Sequence, residues 1–195
     1  MADLQRREEA INGLNPCHMS RIILLLLLAM FTGHVSSQKT WTSPKYGYSI
    51  EIPKGFNKVS TVGINADFKA EDGLHNIVLV VKLLPAELRD QMYGKTIFAM
   101  LGDLPSYEAE FMRGAPQYFI NPQFIKSGST LINKLPAYWM DIESTHSSVK
   151  KLVYTRIYMV KVGQYLYTLT FACLSTEFSN NQPVWLRFID KMKLY

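Results

Sequence analysis

The spacing of apolar residues after residue 40 predicts several β-strands. Apolar or aromatic side chains occupy every second position of residues 46–52, which is the period of a half-buried strand. His75–Leu83 (HNIVLVVKL) has apolar residues on both faces, as expected of a strand that is covered from two sides. Residues 151–162 and Tyr165–Leu174 predict two further strands, and Gly163-Gln164 between them predicts a tight hairpin.

Weaker alternation predicts the remaining strands. Residues 56–68 resemble a second hairpin arm that follows the strand at residues 46–52. Residues 122–129 predict a strand that ends in a turn at Gly128, and residues 137–143 place three apolar side chains on one face. These segments add at least two strands to the sheet.

Two regions show helical spacing. Residues 86–119 carry apolar residues three and four apart, but glycine and proline divide them into at least two short helices. Near the C-terminus, Pro183 suits the first position of a helix. Its apolar stripe, which should dock on the tyrosine-rich strand Tyr165–Leu174, consists of Val184, Trp185, Phe188, Ile189 and Met192.

The order of these elements predicts the fold class. Strands come first, short helices follow, strands return, and one helix closes the chain. This order is typical of a single α+β domain with a mostly antiparallel sheet. Because both faces of two strands are apolar, we expect helices packed on both faces, that is, a helix–sheet–helix sandwich.

The N-terminal segment predicts export. The apolar run at residues 22–35 follows Arg21 and is shorter than the roughly 20 residues that a membrane-spanning helix needs. Small residues then precede Gln38, so residues 1–37 are interpreted as an extension and secretory signal that is cleaved before Gln38. Translation could also start at Met19. The predicted location is periplasmic or extracellular; the alternative is a membrane tether formed by an uncleaved signal-anchor.

For the domain at residues 38–195, the charge limits the expected classes of partner, and the cysteine content indicates how the fold is stabilised. The whole chain has a net charge of +5, and the basic and acidic residues before residue 38 cancel. No basic run exceeds Lys150-Lys151, which argues against nucleic acid and leaves weak association with anionic surfaces. Cys173 is the single cysteine after residue 37, so no internal disulfide is expected and packing must hold the domain together.

Few residues form a recognisable chemical motif. Asp141 and Glu143 share one strand face and could serve acid–base chemistry, although a solvated outer face is the favoured interpretation. His75 is interpreted as a strand-end residue and His146 as a turn residue, and no metal-ligand spacing links them. Cys173 lies in an apolar strand and is expected to be buried and inert.

The segment Gly94-Lys95-Thr96 resembles the end of a phosphate-binding loop. Arg89 stands where that loop requires its first glycine, so we expect no nucleotide site. No catalytic, cofactor or metal residues are therefore assigned. The many tyrosines could form core or could bind an apolar ligand, and the sequence leaves both readings open.

Two segments together resemble the PsbP-like superfamily, which includes the extrinsic photosystem II protein P and many exported bacterial proteins. They are YGYSIEIPKGF at residues 46–56 and YLYTLTFACLSTEFSNNQPVWLRFIDKMKLY at residues 165–195. The resemblance extends over about residues 41–194, and the chain is most similar to the small exported bacterial members. It implies an antiparallel sheet between helices, with no shared activity, cofactor or functional residue.

Two functional hypotheses remain after these observations. The first is a non-enzymatic accessory or binding domain of the bacterial cell envelope, with an envelope protein or an apolar small ligand as partner. The second is an enzyme or small-ligand carrier whose site assembles only in the fold. Its candidate residues are His75, His146, Asp141 and Glu143.

Overall fold

The computed structural model describes residues 39–195, which contain ten strands and four helices. The predicted extension, the start at Met19 and the cleavage before Gln38 lie outside the described residues. The strands are β1 (Thr40–Thr42), β2 (Tyr48–Glu51), β3 (Asn57–Lys58), β4 (Phe68–Asp72), β5 (His75–Leu83), β6 (Ile120–Ile132), β7 (Leu135–Thr145), β8 (Leu152–Val162), β9 (Tyr165–Leu174) and β10 (Lys193–Leu194). The helices are α1 (Ala86–Gln91), α2 (Ile97–Leu101), α3 (Leu104–Gly114) and α4 (Phe178–Lys191).

Seven strands form one antiparallel sheet in the order β3-β4-β5-β9-β8-β7-β6. Consecutive hairpins join β6 to β9, and β5 pairs with the free side of β9. The β6–β7 turn consists of Asn133 and Lys134, with φ of 49° and 67°, and Gly163 has φ of 55° in the β8–β9 turn. Positive φ at a two-residue turn matches the right-handed twist of the strands it joins.

The first face of this sheet, the α4 face, carries the main core. It is covered by α4 and by a small sheet of β1, β2 and β10. Trp185 of α4 stacks on Phe171 of β9 with ring centroids 5.3 Å apart, and Phe188 lies edge-on to the same ring at 5.4 Å. The predicted docking of the terminal helix on this strand is therefore confirmed.

The opposite face is covered in part by α2 and α3. It is called the groove face here because a surface groove opens where this cover ends. Ile97 of α2 is buried together with side chains of β7 and β8, namely Tyr138, Met140, Ile142, Ile157 and Met159. Glu108 of α3 accepts hydrogen bonds from the Ser127 hydroxyl at 2.5 Å and from the Tyr138 hydroxyl at 2.6 Å. These bonds fix α3 on the sheet, and the predicted α+β fold with helices on both faces is confirmed.

The predicted hairpin between residues 46–52 and residues 56–68 is wrong. The strand predicted at residues 46–52 does not join the large sheet, because β2 pairs with β1 and β10 instead. The following arm is reduced to β3, which pairs with β4 rather than with β2. Local alternation identified the strand β2, but the partner depends on where the C-terminal residues Lys193–Leu194 return in the fold.

Three local predictions are also corrected. Gly128 lies inside β6 rather than in a turn, and Pro183 is the sixth residue of α4 rather than the first. The helix starts earlier because Phe178 stacks on Tyr154 of β8, with ring centroids 3.9 Å apart. The third prediction, that β5 is covered on both faces, is wrong for the groove face. Val78 of β5 is only half-buried, because α2 and α3 cover β6, β7 and β8 but not β5.

Candidate functional site

A groove of about 290 Å³ lies on the groove face, where the cover of α2 and α3 ends. Its floor consists of side chains from four strands of the large sheet: Asn76, Ser144, Val153, Thr155, Thr170 and Ala172. Its rim consists of Tyr118, Phe119 and Ile120 at the start of β6 and of Thr145, His146 and Ser147 at the end of β7. Apolar side chains, hydroxyls and an amide, rather than carboxylates or ammonium groups, thus line this groove.

Tyr118 gives the groove an exposed aromatic wall. Its side chain is 82% exposed, whereas the neighbouring Phe119 packs into the core beneath α3. A short 3₁₀ turn, Ala115–Gln117, ends α3 and positions both residues before β6 begins. Tyrosine combines a large apolar ring with a hydroxyl and is enriched where proteins bind partners.

His146 is held in a turn, as predicted. Its Nδ1 accepts hydrogen bonds from the backbone N–H groups of Ser148 at 3.2 Å and Val149 at 3.4 Å. An acceptor at Nδ1 places the proton of the neutral ring on Nε2. The ring therefore offers an N–H donor, and its side chain lines the groove.

His75 is a strand-end residue, also as predicted. It is the first residue of β5, and its Nε2 lies 2.6 Å from the Glu177 carboxylate in the turn before α4. His75 and His146 belong to β5 and to the loop after β7, with β9 and β8 between these strands. Side-chain alternation puts His75 on the α4 face, together with Ile77 and beside Glu177, whereas His146 lines the groove face, so the two histidines do not form one site.

Asp141 is not on a solvated outer face, which corrects the favoured sequence interpretation. The residue is fully buried on the α4 face, and its carboxylate accepts two hydrogen bonds from Arg156, at 2.6 Å and 2.7 Å. It also accepts a hydrogen bond from the Tyr154 hydroxyl. Burial, and then this hydrogen bond to the carboxylate, raises the pKa of Tyr154. The Asp141 carboxylate is thus fully occupied by structural contacts.

Arg156 is enclosed by aromatic rings. Its guanidinium carbon lies 4.5 Å from the Trp139 ring centroid and 5.6 Å from that of Phe178. A buried charge requires a partner and hydrogen bonds, and Asp141 supplies both. Glu143, two positions along β7, is half-buried opposite Tyr154 and is not part of this ion pair. The four residues of the second functional hypothesis are therefore not brought together.

Cys173 is completely buried on the α4 face, as predicted. Burial, with a smaller contribution from the Glu177 charge, raises the pKa of its thiol to about 12. The thiol is therefore protonated at neutral pH, in the form that is not nucleophilic. This arrangement agrees with a packing role.

The remaining motifs have structural roles. Gly94-Lys95-Thr96 connects α1 to α2, so it lacks the preceding strand of a phosphate-binding loop. Tyrosines of the large sheet, including Tyr158 and Tyr167, are buried in the core of the α4 face. Within residues 39–195 no three His, Cys, Asp or Glu side chains meet as metal ligands. In the same range, the length and apolar content of the helices fall short of what a membrane span requires.

Sequence reasoning missed the partner of Asp141, although a signal was present. Arg156 lies near the middle of the mostly apolar strand β8, and opposite charges on neighbouring strands often pair. A β7–β8 turn centred on Ser148 and Val149 places Arg156 directly opposite Asp141, as observed. The groove gave no such signal, because its residues come from five strands, β5, β6, β7, β8 and β9, and from two loops.

The architecture defines a class: an antiparallel sheet between a C-terminal helix and a layer of short helices is a PsbP-like fold. The solution structure of cyanobacterial PsbP (CyanoP) from Synechocystis sp. PCC 6803 matches it with a TM-score of 0.57. The match covers 84% of this chain and 95% of that chain, at 13% sequence identity. The predicted resemblance is thereby confirmed as a shared fold.

Two further solved structures match with lower scores. LpqN of Mycobacterium tuberculosis, described as involved in cell envelope biogenesis, has a TM-score of 0.47 and 11% identity over 82% of this chain and 86% of that chain. PA94 from Pseudomonas aeruginosa, a protein of unknown function, has a TM-score of 0.42 and 12% identity over 78% and 94%. No family model and no curated protein sequence matches this chain.

Proposed function

We propose that this protein is a non-enzymatic accessory domain of the bacterial cell envelope that binds its partner through the groove beside Tyr118. The observation that carries the proposal is the contrast between the candidate catalytic groups and the groove. Asp141 and Cys173 are buried in the core, whereas Tyr118 and His146 line an open surface. The envelope location rests on the predicted secretory signal at residues 1–37.

The lining of the groove indicates the chemistry of the partner. The charged residue types Asp, Glu, Lys and Arg do not contribute to it, so it favours a neutral surface. The His146 N–H can donate a hydrogen bond, and the Asn76 amide can both donate and accept. The Tyr118 ring adds apolar contact area at a low cost in conformational entropy. A neutral partner with hydrogen-bonding groups beside an apolar face fits this combination.

A pull-down from an envelope extract tests the proposal. The purified protein is immobilised, and retained molecules are identified for the unchanged protein and for Tyr118→Ala. We expect Tyr118→Ala to weaken retention of the partner by about tenfold or more, since exposed aromatic anchors often dominate binding energy. His146→Ala should weaken retention to a smaller extent, because it removes a hydrogen-bond donor but little contact area.

Tyr93→Ala provides the matched control. Tyr93 is 89% exposed and does not line the groove, so its truncation removes a comparable ring from another surface. Equal retention by Tyr118→Ala and Tyr93→Ala would show that the groove is not the contact surface. Turnover of a retained molecule by the unchanged protein would contradict the non-enzymatic role.

A further inference from the structure

The two edges of the large sheet differ in length and composition. β3 forms one edge with only two residues and ends on Lys58, whose ammonium group lies 3.9 Å from the Trp41 ring centroid. β6 forms the other edge with thirteen residues, most of them exposed. Short, lysine-bearing edges resist further strand pairing, whereas a long exposed edge offers unpaired backbone groups to another strand.

The first half of β6 is poorly suited to pairing. Pro122 has no backbone N–H, and the register shifts between Ile120 and Gln123 and again between Phe124 and Lys126. Bulges, proline and edge lysine are the features by which natural sheets prevent edge-to-edge association. These features end at Lys126, and the pairing with β7 is regular from there to Ile132.

The second half of β6 lacks such features. Residues 127–132 (SGSTLI) are uncharged, and Leu131 is 63% exposed. Ile132 and Leu135 flank the two-residue turn, so they form a pair that exchanges hydrogen bonds. Because hydrogen-bonded positions alternate along an antiparallel pair, the backbone N–H and C=O groups of Ser127, Ser129 and Leu131 point away from β7.

We propose that this half of β6 pairs antiparallel with β6 of a second copy of the same chain, about a two-fold axis at Ser129. Ser129 then faces Ser129 of the second copy, and Ser127 faces Leu131 of the second copy. The three outward residues would exchange about six backbone hydrogen bonds, two for each facing pair. The two large sheets join into one continuous sheet across the axis.

The sequence around Ser129 fits a second copy in particular. An isologous contact requires that a segment be complementary to itself. In this register Lys126 faces Ile132 of the second copy, so no two like charges lie opposite each other. Serine and glycine at positions 127–129 leave room for close approach of the two backbones, and the neutral stretch ends at the turn residue Lys134.

Charge substitutions at the two-fold axis test both the partner and the register. Only a residue on the axis faces itself, so Ser129→Lys places two lysines directly opposite each other. We expect sedimentation velocity to show a dimer of the unchanged protein and a dimer affinity about a hundredfold weaker for Ser129→Lys. Ser129→Glu should weaken it similarly, and a one-to-one mixture of the two variants should dimerise again because opposite charges then meet.

Ser129→Thr is the matched control, since it keeps a neutral hydroxyl and should leave the dimer intact. Circular dichroism of each variant establishes that its fold is unchanged. A finding that the protein without substitutions stays monomeric at high concentration overturns the proposal. So does a dimer that is unaffected by Ser129→Lys, or a mixture of the charged variants that stays monomeric.

Discussion

The two faces of the large sheet use polar residues in opposite ways. On the α4 face, the Asp141–Arg156 pair is buried against the rings of Trp139 and Phe178, and Phe171 stacks on Trp185. On the groove face, α2 and α3 cover only part of the sheet, and the polar residues Ser144 and Thr155 lie at the floor of an open groove. The same strands, β7 and β8, contribute to both arrangements.

Side-chain alternation along each strand explains this difference between the two faces. Successive residues of a strand point to opposite faces, so a buried ion pair at one position adjoins a groove residue at the next. Arg156 and Thr155 are neighbours in sequence but lie on opposite faces of β8. Substitutions on the α4 face should therefore change stability, while substitutions in the groove should change binding alone.

Removing Asp141 should have the largest effect. Asp141→Ala leaves the guanidinium of Arg156 buried without its partner, which typically costs about 3–5 kcal/mol of unfolding free energy. Urea unfolding followed by circular dichroism measures this loss. A loss below about 1 kcal/mol, the usual size for an exposed pair, would contradict the burial of this ion pair.

The double variant Asp141→Leu with Arg156→Met separates two contributions to the loss of stability, the unpaired charge and the changed packing. Replacing both members of a buried pair by apolar residues is often neutral or stabilising. We therefore expect the double variant to be more stable than Asp141→Ala. If it is equally unstable, the loss comes from the shape of this region rather than from an unpaired charge.

Trp185→Ala should have an effect of similar size. Trp185 is 1% exposed and stacks on Phe171, and truncating a buried tryptophan typically costs about 3–5 kcal/mol. A thermal melt measures the loss. The neighbouring Leu186 is 50% exposed, so Leu186→Ala should stay within about 0.5 kcal/mol of the unchanged protein. Equal losses for the two variants would mean that α4 packs through a different face.

Most of the fold could be predicted from the sequence, because strand and helix periods are local signals. The β8–β9 hairpin and the apolar stripe of α4 were identified from neighbouring residues alone. The membership of β2 in a separate small sheet could not be found in this way. It depends on β10, which lies more than 140 residues later in the chain.

The candidate site was less predictable, for a physical reason. Side chains with recognisable chemistry, such as Asp141, are those that folding must pair when it buries them. The groove is lined instead by hydroxyls, an amide, aliphatic side chains and aromatic rings such as Tyr118, which carry no recognisable motif. Only the fold shows that these residues lie side by side.

The buried thiol and phenols of the core predict a loss of stability at alkaline pH. Burial raises the pKa of Cys173 from 9.0 to about 12, and that of Tyr48 from 10.0 to about 12. The unfolded chain therefore releases these protons at a lower pH than the folded chain does. The stabilisation is fully present below about pH 9 and should decrease as the pH rises towards 12.

Urea midpoints between pH 7 and pH 11 measure this dependence. Cys173→Ala removes one of the titrating groups, so its midpoint should fall less steeply from about pH 9 upward. A midpoint that is constant or rises over this range would contradict the burial of these groups.

The smallest effect expected on the α4 face concerns Gly128, which lies in β6 beneath the Trp139 ring. A Cβ at this position would lie 2.7 Å from Cζ2 and 2.9 Å from Cε2 of Trp139. Gly128→Ala should therefore displace a ring that also contacts the Arg156 guanidinium, at an overpacking cost of roughly 1–3 kcal/mol. Gly114, the last residue of α3, provides the control, because a Cβ there meets open space. Gly114→Ala should be neutral or stabilising by about 0.4–1 kcal/mol. Urea unfolding measures the stability of both variants. Equal stabilities would mean that the Trp139 ring adapts without loss of stability. The α4 face would then be less tightly packed than its contacts indicate.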